Sequence, residues 1–431
     1  MKSRAERHRR PEKKRKPYVI SMKKLAIFSG AAVACFVVGI GISYISTQFN
    51  QTDAIPDQVE APAAVSKPTE QGNVTAKPTT APAPTTSIQP SAKPSASTVP
   101  SAKPSEFPSV SAGSGAGSGP TVKLTFVGDV LLGSKVEDQM KQFGYDYPYS
   151  AVKDYLQKAD YTIANLETPI TMRGEAEQKE YAYRSSPLAL PELAKSGIDL
   201  VNLANNHVMD YGKDGLLDTL EALDKAGINR IGAGKDANEA YQPVIVEKQG
   251  IRIAFLGFSR VVPDSSWKAG KNKAGVAETY DYRVPVEAIT KAKEKADLVV
   301  VIAHWGVERQ DDPDKYQKEL AHRYIDAGAD LIVGGHPHVV QGFEQYKGKW
   351  IAYSLGNFIF TMNPNPKTWD SMILEATCSK VNRCDLQVVP VLAKLAKPEV
   401  MTAEQGTKLF ERLTQISMGA KVDHNGKVQL K

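Results

Sequence analysis

A chain of 431 residues with a formal net charge of +6 is long enough for one large or two ordinary domains, but its charge is unevenly spread. Residues 1–24 carry 11 Lys/Arg against 2 Asp/Glu and residues 46–120 carry 4 against 5, leaving 39 against 41 for residues 121–431. Near-neutrality over the part able to fold excludes the basic footprint of a nucleic-acid-binding domain, and no nucleic acid is expected as a partner.

The basic tail reads as a topology signal because an apolar stretch comes directly after it. Residues 25–45 are uncharged and rich in Ala, Val, Ile and Phe, and about twenty such residues in a helix cross a bilayer core. With the cations on its amino side, the positive-inside rule puts the amino terminus in the cytoplasm and everything after this stretch outside. No small-x-small cleavage site comes after the apolar run in a convincing place, and Cys35 lies mid-segment behind Ala32-Val33-Ala34, a poor lipidation site. The expectation is a single-pass protein of the cell membrane, held by one uncleaved helix.

Residues 46–120 are Pro, Ala, Ser and Thr with scattered Lys, and Ser91-Ala92-Lys93-Pro94-Ser95 recurs at Ser101-Ala102-Lys103-Pro104-Ser105. Such a segment buries too little apolar surface to offset its ordering entropy, so a disordered linker is expected. At about 3.1 Å per residue it reaches on the order of 200 Å, a stalk that lifts a domain away from the membrane.

From Thr121 onward strands alternate with helical patterns. Strands are expected over residues 122–127, 161–166, 200–204, 251–258, 298–303 and 331–335, with helices near 135–141, 188–195, 286–295 and 314–327 between them. The helix over 213–226 has apolar residues at 216, 217, 220 and 223, and Gly227 ends it. This alternation predicts a layered α/β domain over residues 121–431, with antiparallel or mixed pairing after His338.

The chemistry gathers at the strand ends. Leu331-Ile332-Val333 stops at Gly334-Gly335 and delivers His336 and His338; His304 ends another apolar run, and His207 comes after Asn205-Asn206 at a third. Asp129 and Glu167 end two more. The chain has only seven histidines, so four at strand ends, beside carboxylates and amides and with no thiolate, make a metal-site composition. Taken alone, His336 and His338 also suit a capped surface turn. Trp305 reads equally as pocket lining or core, His322 as packing, and Glu308 and Arg309 as contacts to an anion or the start of a solvated loop. Cys378 and Cys384 lie between two strand-like runs, where a hairpin would set them opposite each other as a disulfide, or leave them as two free thiols.

Asp129 in Gly-Asp-Val, Asn165 and Glu167 in Asn-Leu-Glu, Asn205-Asn206-His207 with Asp210, His304 in His-Trp-Gly-Val-Glu, Gly335-His336-Pro337-His338 and Ser354-Leu355-Gly356-Asn357-Phe358 together resemble the CapA family of capsule synthesis proteins, within the calcineurin-like metallophosphoesterase superfamily. The resemblance covers residues 121–360. It implies an α/β/β/α-type fold and a divalent metal (Mn, Zn, Fe or Mg) held by Asp129, Glu167, Asn206, His304, His336 and His338. It further implies His207 as the residue acting on the substrate, which Asn165, Asn205 and Asn357 would help to bind, and activation of water by the ion. The expected role is poly-γ-glutamate synthesis or export beside membrane synthase subunits. The alternatives are an active metal-dependent hydrolase of phosphoesters or of the polymer's amide bonds, and a wall-binding module. The sequence departs from the superfamily at its first motif, where Asp129 is followed by Val130 and Leu131 rather than x-His, and Glu167 stands where a metal-bridging Asp is usual. A single metal or an altered pair is therefore expected.

Overall fold

The computed structural model describes residues 119–361 and 364–431. The basic tail, the apolar stretch 25–45 and all but the last two residues of the linker lie outside the described residues. Among the described residues no helix is long and apolar enough to cross a membrane.

Two sheets form the centre. In the eight-stranded one, β1 (Thr121–Val130), β2 (Tyr161–Leu166), β3 (Leu200–Asn202) and β4 (Asn229–Ile231) pair in parallel. Antiparallel β14 (Asp370–Ser379), β15 (Cys384–Lys394) and β16 (Lys397–Val400) extend the sheet beyond β1, and β13 (Asn357–Ile359) adds in parallel at the end of β1. The six-stranded sheet runs β11 (Val340–Tyr346), β12 (Lys349–Leu355), β10 (Leu331–Gly335), β9 (Leu298–His304), β7 (Ile251–Ser259), β6 (Val244–Lys248). Its centre is parallel and both its edge pairings are antiparallel. β5 (Ala233–Gly234) with β8 (Gly275–Val276), and β17 (Ala420–Val422) with β18 (Val428–Leu430), make two small ribbons.

Alternation within the strands builds four layers. Phe126, Ile163 and Leu200 of one sheet meet Phe255, Val300, Ile302, Leu331 and Val333 of the other in a shared core. On the outer face of the first sheet lie Leu216, Leu220 and Leu223 of helix Gly212–Ala226, which ends at left-handed Gly227. On the outer face of the second, Val299 and Val301 pack against Ile289 and Ala292 of helix Arg283–Lys293 and Leu320 and Tyr324 of helix Lys315–Asp326. Strand β9 is buried at every residue, which is why it reads as an unbroken apolar run. Each such side chain contributes about 1.5–3 kcal/mol on burial. Helix Ala403–Ile416 adds Leu409, Phe410 and Leu413 to the inter-sheet core.

The parallel strand ends expected on one edge come from two sheets, because strand and helix alternation carries no information about which sheet a strand joins. The seam is tight. An added Cβ on Gly335 of β10 would lie 2.6 Å from the Asp129 carboxylate, so only glycine lets β10 approach the end of β1. Between β12 and β13 the chain crosses from one sheet to the other at Gly356 (φ +73°), which delivers Asn357 to the same seam.

Candidate metal centre

At this seam the strand ends bring together Asp129, Glu167, His304, His336 and His338. Asp129 lies at the end of β1, Glu167 comes after β2, His304 ends β9, and the two other histidines leave β10 with φ of +96° and +56°. Left-handed backbone is strained for a non-glycine residue, and two strained histidines in three residues are tolerated where the loop must aim both rings inward. Two groups of three can each offer ligand atoms within 4.8 Å of one another: Glu167 with His304 and His336, and Asp129 with Glu167 and His338. Glu167 belongs to both. Asn206 joins the first group, its Oδ1 2.8 Å from His304 Nε2.

Two residues here lack the partners that burial demands. Both carboxylate oxygens of Glu167 and Nδ1 of His336 are buried with no hydrogen-bond partner, whereas buried polar atoms in folded proteins are almost always paired. His304 Nε2 stands 3.6 Å from Glu167 Oε1, and His338 Nε2 stands 4.0 Å from it. Burial, then the charge of Asp129, pushes the Glu167 carboxyl well above the usual range. Burial and neighbouring His336 hold His304 well below its ordinary value. Burial and His338 bring His336 down to about 3. For His338, burial is outweighed by Glu167 and Asp129, and its pKa rises to about 9. A divalent ion fits these residues: it would keep Glu167 ionised and take up the unpartnered oxygens and ring nitrogen.

A surrounding shell holds the ligand residues. Asn165 Nδ2 donates to Asp129 Oδ1 at 2.8 Å and lies 3.2 Å from His304 Nδ1, while its Oδ1 accepts from Asn202. Asn205 Nδ2 donates to the Leu166 carbonyl, and its Oδ1 accepts from the backbone N–H of His207 and Val208. Asn357 Oδ1 meets His338 Nδ1 at 2.9 Å, and its Nδ2 donates to the Thr368 carbonyl. Asn165, Asn205 and Asn357 thus spend their amides on protein partners.

His207 sits beside this group, buried, its Nδ1 2.7 Å from Asp210 Oδ2. Burial lowers its pKa, partly offset by Asp210. Asp210 is fully buried and accepts further from the backbone N–H of Tyr183 (2.7 Å) and from Lys179 Nζ (2.6 Å). Lys179 also donates to the Asn206 carbonyl at 2.7 Å and lies over the Trp267 ring. Sequence reasoning missed Lys179 and Tyr183. They lie in an irregular segment between β2 and helix Leu190–Lys195, where no periodicity points to a site. Trp305 is core, donating to the Tyr353 carbonyl, and His322 packs on Tyr346. Cys378 and Cys384 face each other across β14 and β15 and are bonded, 4.0 Å apart at Cα.

The family model for "Bacterial capsule synthesis protein PGA_cap" matches residues 123–362, the span that holds every strand end of the seam. The chain belongs to the PGA_cap family. It is 36% identical over 284 residues to the PGA biosynthesis protein CapA of Bacillus subtilis (strain 168), covering 65% of this chain and 74% of that one. It is 34% identical over 301 residues to the capsule biosynthesis protein CapA of Bacillus anthracis, covering 68% and 72%. It is also 36% identical over 211 residues to a probable polyglutamine synthesis accessory protein of Mycobacterium tuberculosis, covering 46% and 55%. Among solved structures, the NAD nucleotidase NadN of Haemophilus influenzae superposes with a TM-score of 0.39 at 15% identity, over 69% of this chain and 57% of that one. After Asp129, Val130 and Leu131 are both buried in the core, and His338 stands with Asp129 and Glu167.

Proposed function

We propose that this PGA_cap protein is the external, metal-loaded component of poly-γ-glutamate synthesis or export. In this reading residues 25–45 anchor it in the cell membrane with the amino terminus in the cytoplasm, the linker carries the folded part outward, and the domain handles the emerging polymer as an accessory subunit of a membrane synthase. The names carried by the Bacillus and Mycobacterium relatives support the pathway. The observation that carries the site is Glu167, buried with both oxygens unpartnered between two histidine-bearing groups. Asp129, Glu167, Asn206, His304, His336 and His338 hold Mn, Zn, Fe or Mg, a choice consistent with oxygen and imidazole donors and no thiolate. A bound ion would supply Lewis-acid activation of water or of an anionic oxygen. The chain's own residues do the rest: Asn165 and Asn357 orient His304, Asp129 and His338, Asn205 shapes the turn that presents Asn206, and Asp210 with Lys179 holds the His207 ring by its Nδ1 edge.

A hydrolase reading is favoured by one specific feature, the buried Lys179–Asp210–His207 row, since a histidine oriented from behind by a carboxylate suits proton transfer. Complementation separates the two. In a poly-γ-glutamate producer whose own CapA is deleted, His336→Ala is expected to abolish polymer. Retained polymer with His207→Ala supports the accessory role, and loss with both supports hydrolysis. Full polymer production with His336→Ala would contradict both readings.

A further inference from the structure

Arg260 comes directly after the last residue of β7, and its backbone N–H donates to the His304 carbonyl at 2.8 Å. Adjacent strands lie about 4.8 Å apart and a strand residue advances about 3.3 Å, so the two Cα atoms stand on the order of 6 Å apart. The Arg260 guanidinium lies over two rings, 4.0 Å from the centroid of Tyr280 and 4.7 Å from that of Tyr316. Among the described residues it forms no ion pair. Lys268 also stands over Tyr280, at 4.6 Å, and Lys315 over Tyr316 at 4.8 Å. Lys268 is engaged by Glu278 at 3.6 Å; Lys315 forms no ion pair among the described residues. Both tyrosines are more than 40% exposed.

The arrangement is unusual in what it leaves free. An arginine on a protein surface is ordinarily solvated or paired with a carboxylate, and holding its long side chain still costs rotamer entropy. Here two aromatic faces hold the guanidinium, as cation–π contacts do, while its N–H edge has no acceptor among the described residues. A planar fork fixed in advance and left without a partner is suited to bidentate recognition of a carboxylate. Its place in the fold matters as much: the loop that begins after His304 ends at Asp314, the N-cap of the helix whose first turn carries Tyr316. One loop therefore links the metal centre to this cationic shelf.

We propose that Arg260, with Tyr280, Tyr316 and Lys315, is a separate subsite for a pendant carboxylate of an extended acidic polymer (the free α-carboxylate, where the units are γ-linked), engaging a different unit of the chain from the one at the metal centre. The inference rests on the poly-γ-glutamate reading for the identity of the polymer, though not for its charge. Its consequence is length dependence, because only a chain long enough to span both sites gains the second contact through effective concentration.

The test uses the full chain, metal-loaded, with fluorescent γ-linked and α-linked glutamate oligomers of graded length as probes, followed by anisotropy. Arg260→Gln is expected to weaken binding of the longer γ-linked oligomers about tenfold or more, since a hydrogen bond to a charged group is lost. Binding of the shortest oligomer, the metal content and the melting temperature should stay unchanged. Arg260→Lys should recover only part of the loss, because a point charge replaces the fork, and Lys315→Gln should give a smaller loss without touching the stacked arginine. Equal binding of all lengths by wild type and Arg260→Gln overturns the subsite and leaves the poly-γ-glutamate reading standing. Arg260-dependent binding of α-linked oligomers alone keeps the subsite and removes that reading. Failure of the wild type to bind either polymer overturns both.

Discussion

Replacing Lys179 by Met tests whether the row behind His207 is held by charge. Asp210 is fully buried, and the Lys179 side chain is only 19% exposed, so the 2.6 Å contact is largely shielded from water. Removing one partner of a buried pair costs about 3–5 kcal/mol, because the other charge is left without compensation. Asp210 would keep His207 Nδ1 and the Tyr183 N–H, which places the expected loss at the lower end, about 3 kcal/mol. For a domain of this size that corresponds to roughly 4–6 °C in melting temperature. Urea denaturation of the full chain, followed by tryptophan fluorescence, measures it directly. The cause is isolated by a cycle with Asp210→Asn: once the carboxylate is gone, adding Lys179→Met should cost under about 1 kcal/mol. A Lys179→Met protein within about 0.5 kcal/mol of wild type, or equal losses in both backgrounds, would refute the reasoning.

The same geometry sets the outcome of three other changes. Gly335→Ala puts a methyl 2.6 Å from the Asp129 carboxylate; it should cost about 1–3 kcal/mol by overpacking and lower metal content, read by denaturation and elemental analysis. Asn357→Ala removes the partner of His338 Nδ1 and of the Thr368 carbonyl; metal affinity should fall about 10–100-fold in a chelator competition, and the buried groups left unpaired should cost about 1–3 kcal/mol of stability. Cys378→Ser with Cys384→Ser opens a short loop and should cost about 2 kcal/mol, while metal content stays at the wild-type level, because the bond ties β14 to β15 at the start of β1, away from the strand ends that carry the site.

Much of the site was legible because strand ends announce themselves. An apolar run stopping at Gly334-Gly335 before His336 and His338, and another ending at His304, mark both histidine groups in the sequence alone. The way His336 and His338 divide between the groups was not legible: both adopt left-handed backbone, a conformation that local propensity does not predict for histidine. The division of the strands between two sheets was hidden too, since β9, and β1 from Leu124 onward, are each buried on both faces and carry the same apolar signature in either sheet. Lys179 was invisible for a simpler reason. Its partner Asp210 is 31 residues away, and the sequence around Lys179 itself has neither helical nor strand periodicity.

The central claim is that Glu167 is the shared ligand of a divalent metal centre. Elemental analysis of the purified full chain beside Glu167→Gln and His304→Ala, each reconstituted with Mn, Zn, Fe and Mg in turn, tests it most directly. Near-stoichiometric metal is predicted in the wild type and its loss in Glu167→Gln, with both proteins folded by circular dichroism. Metal retained undiminished in Glu167→Gln, or absent from the wild type after every reconstitution, would contradict it.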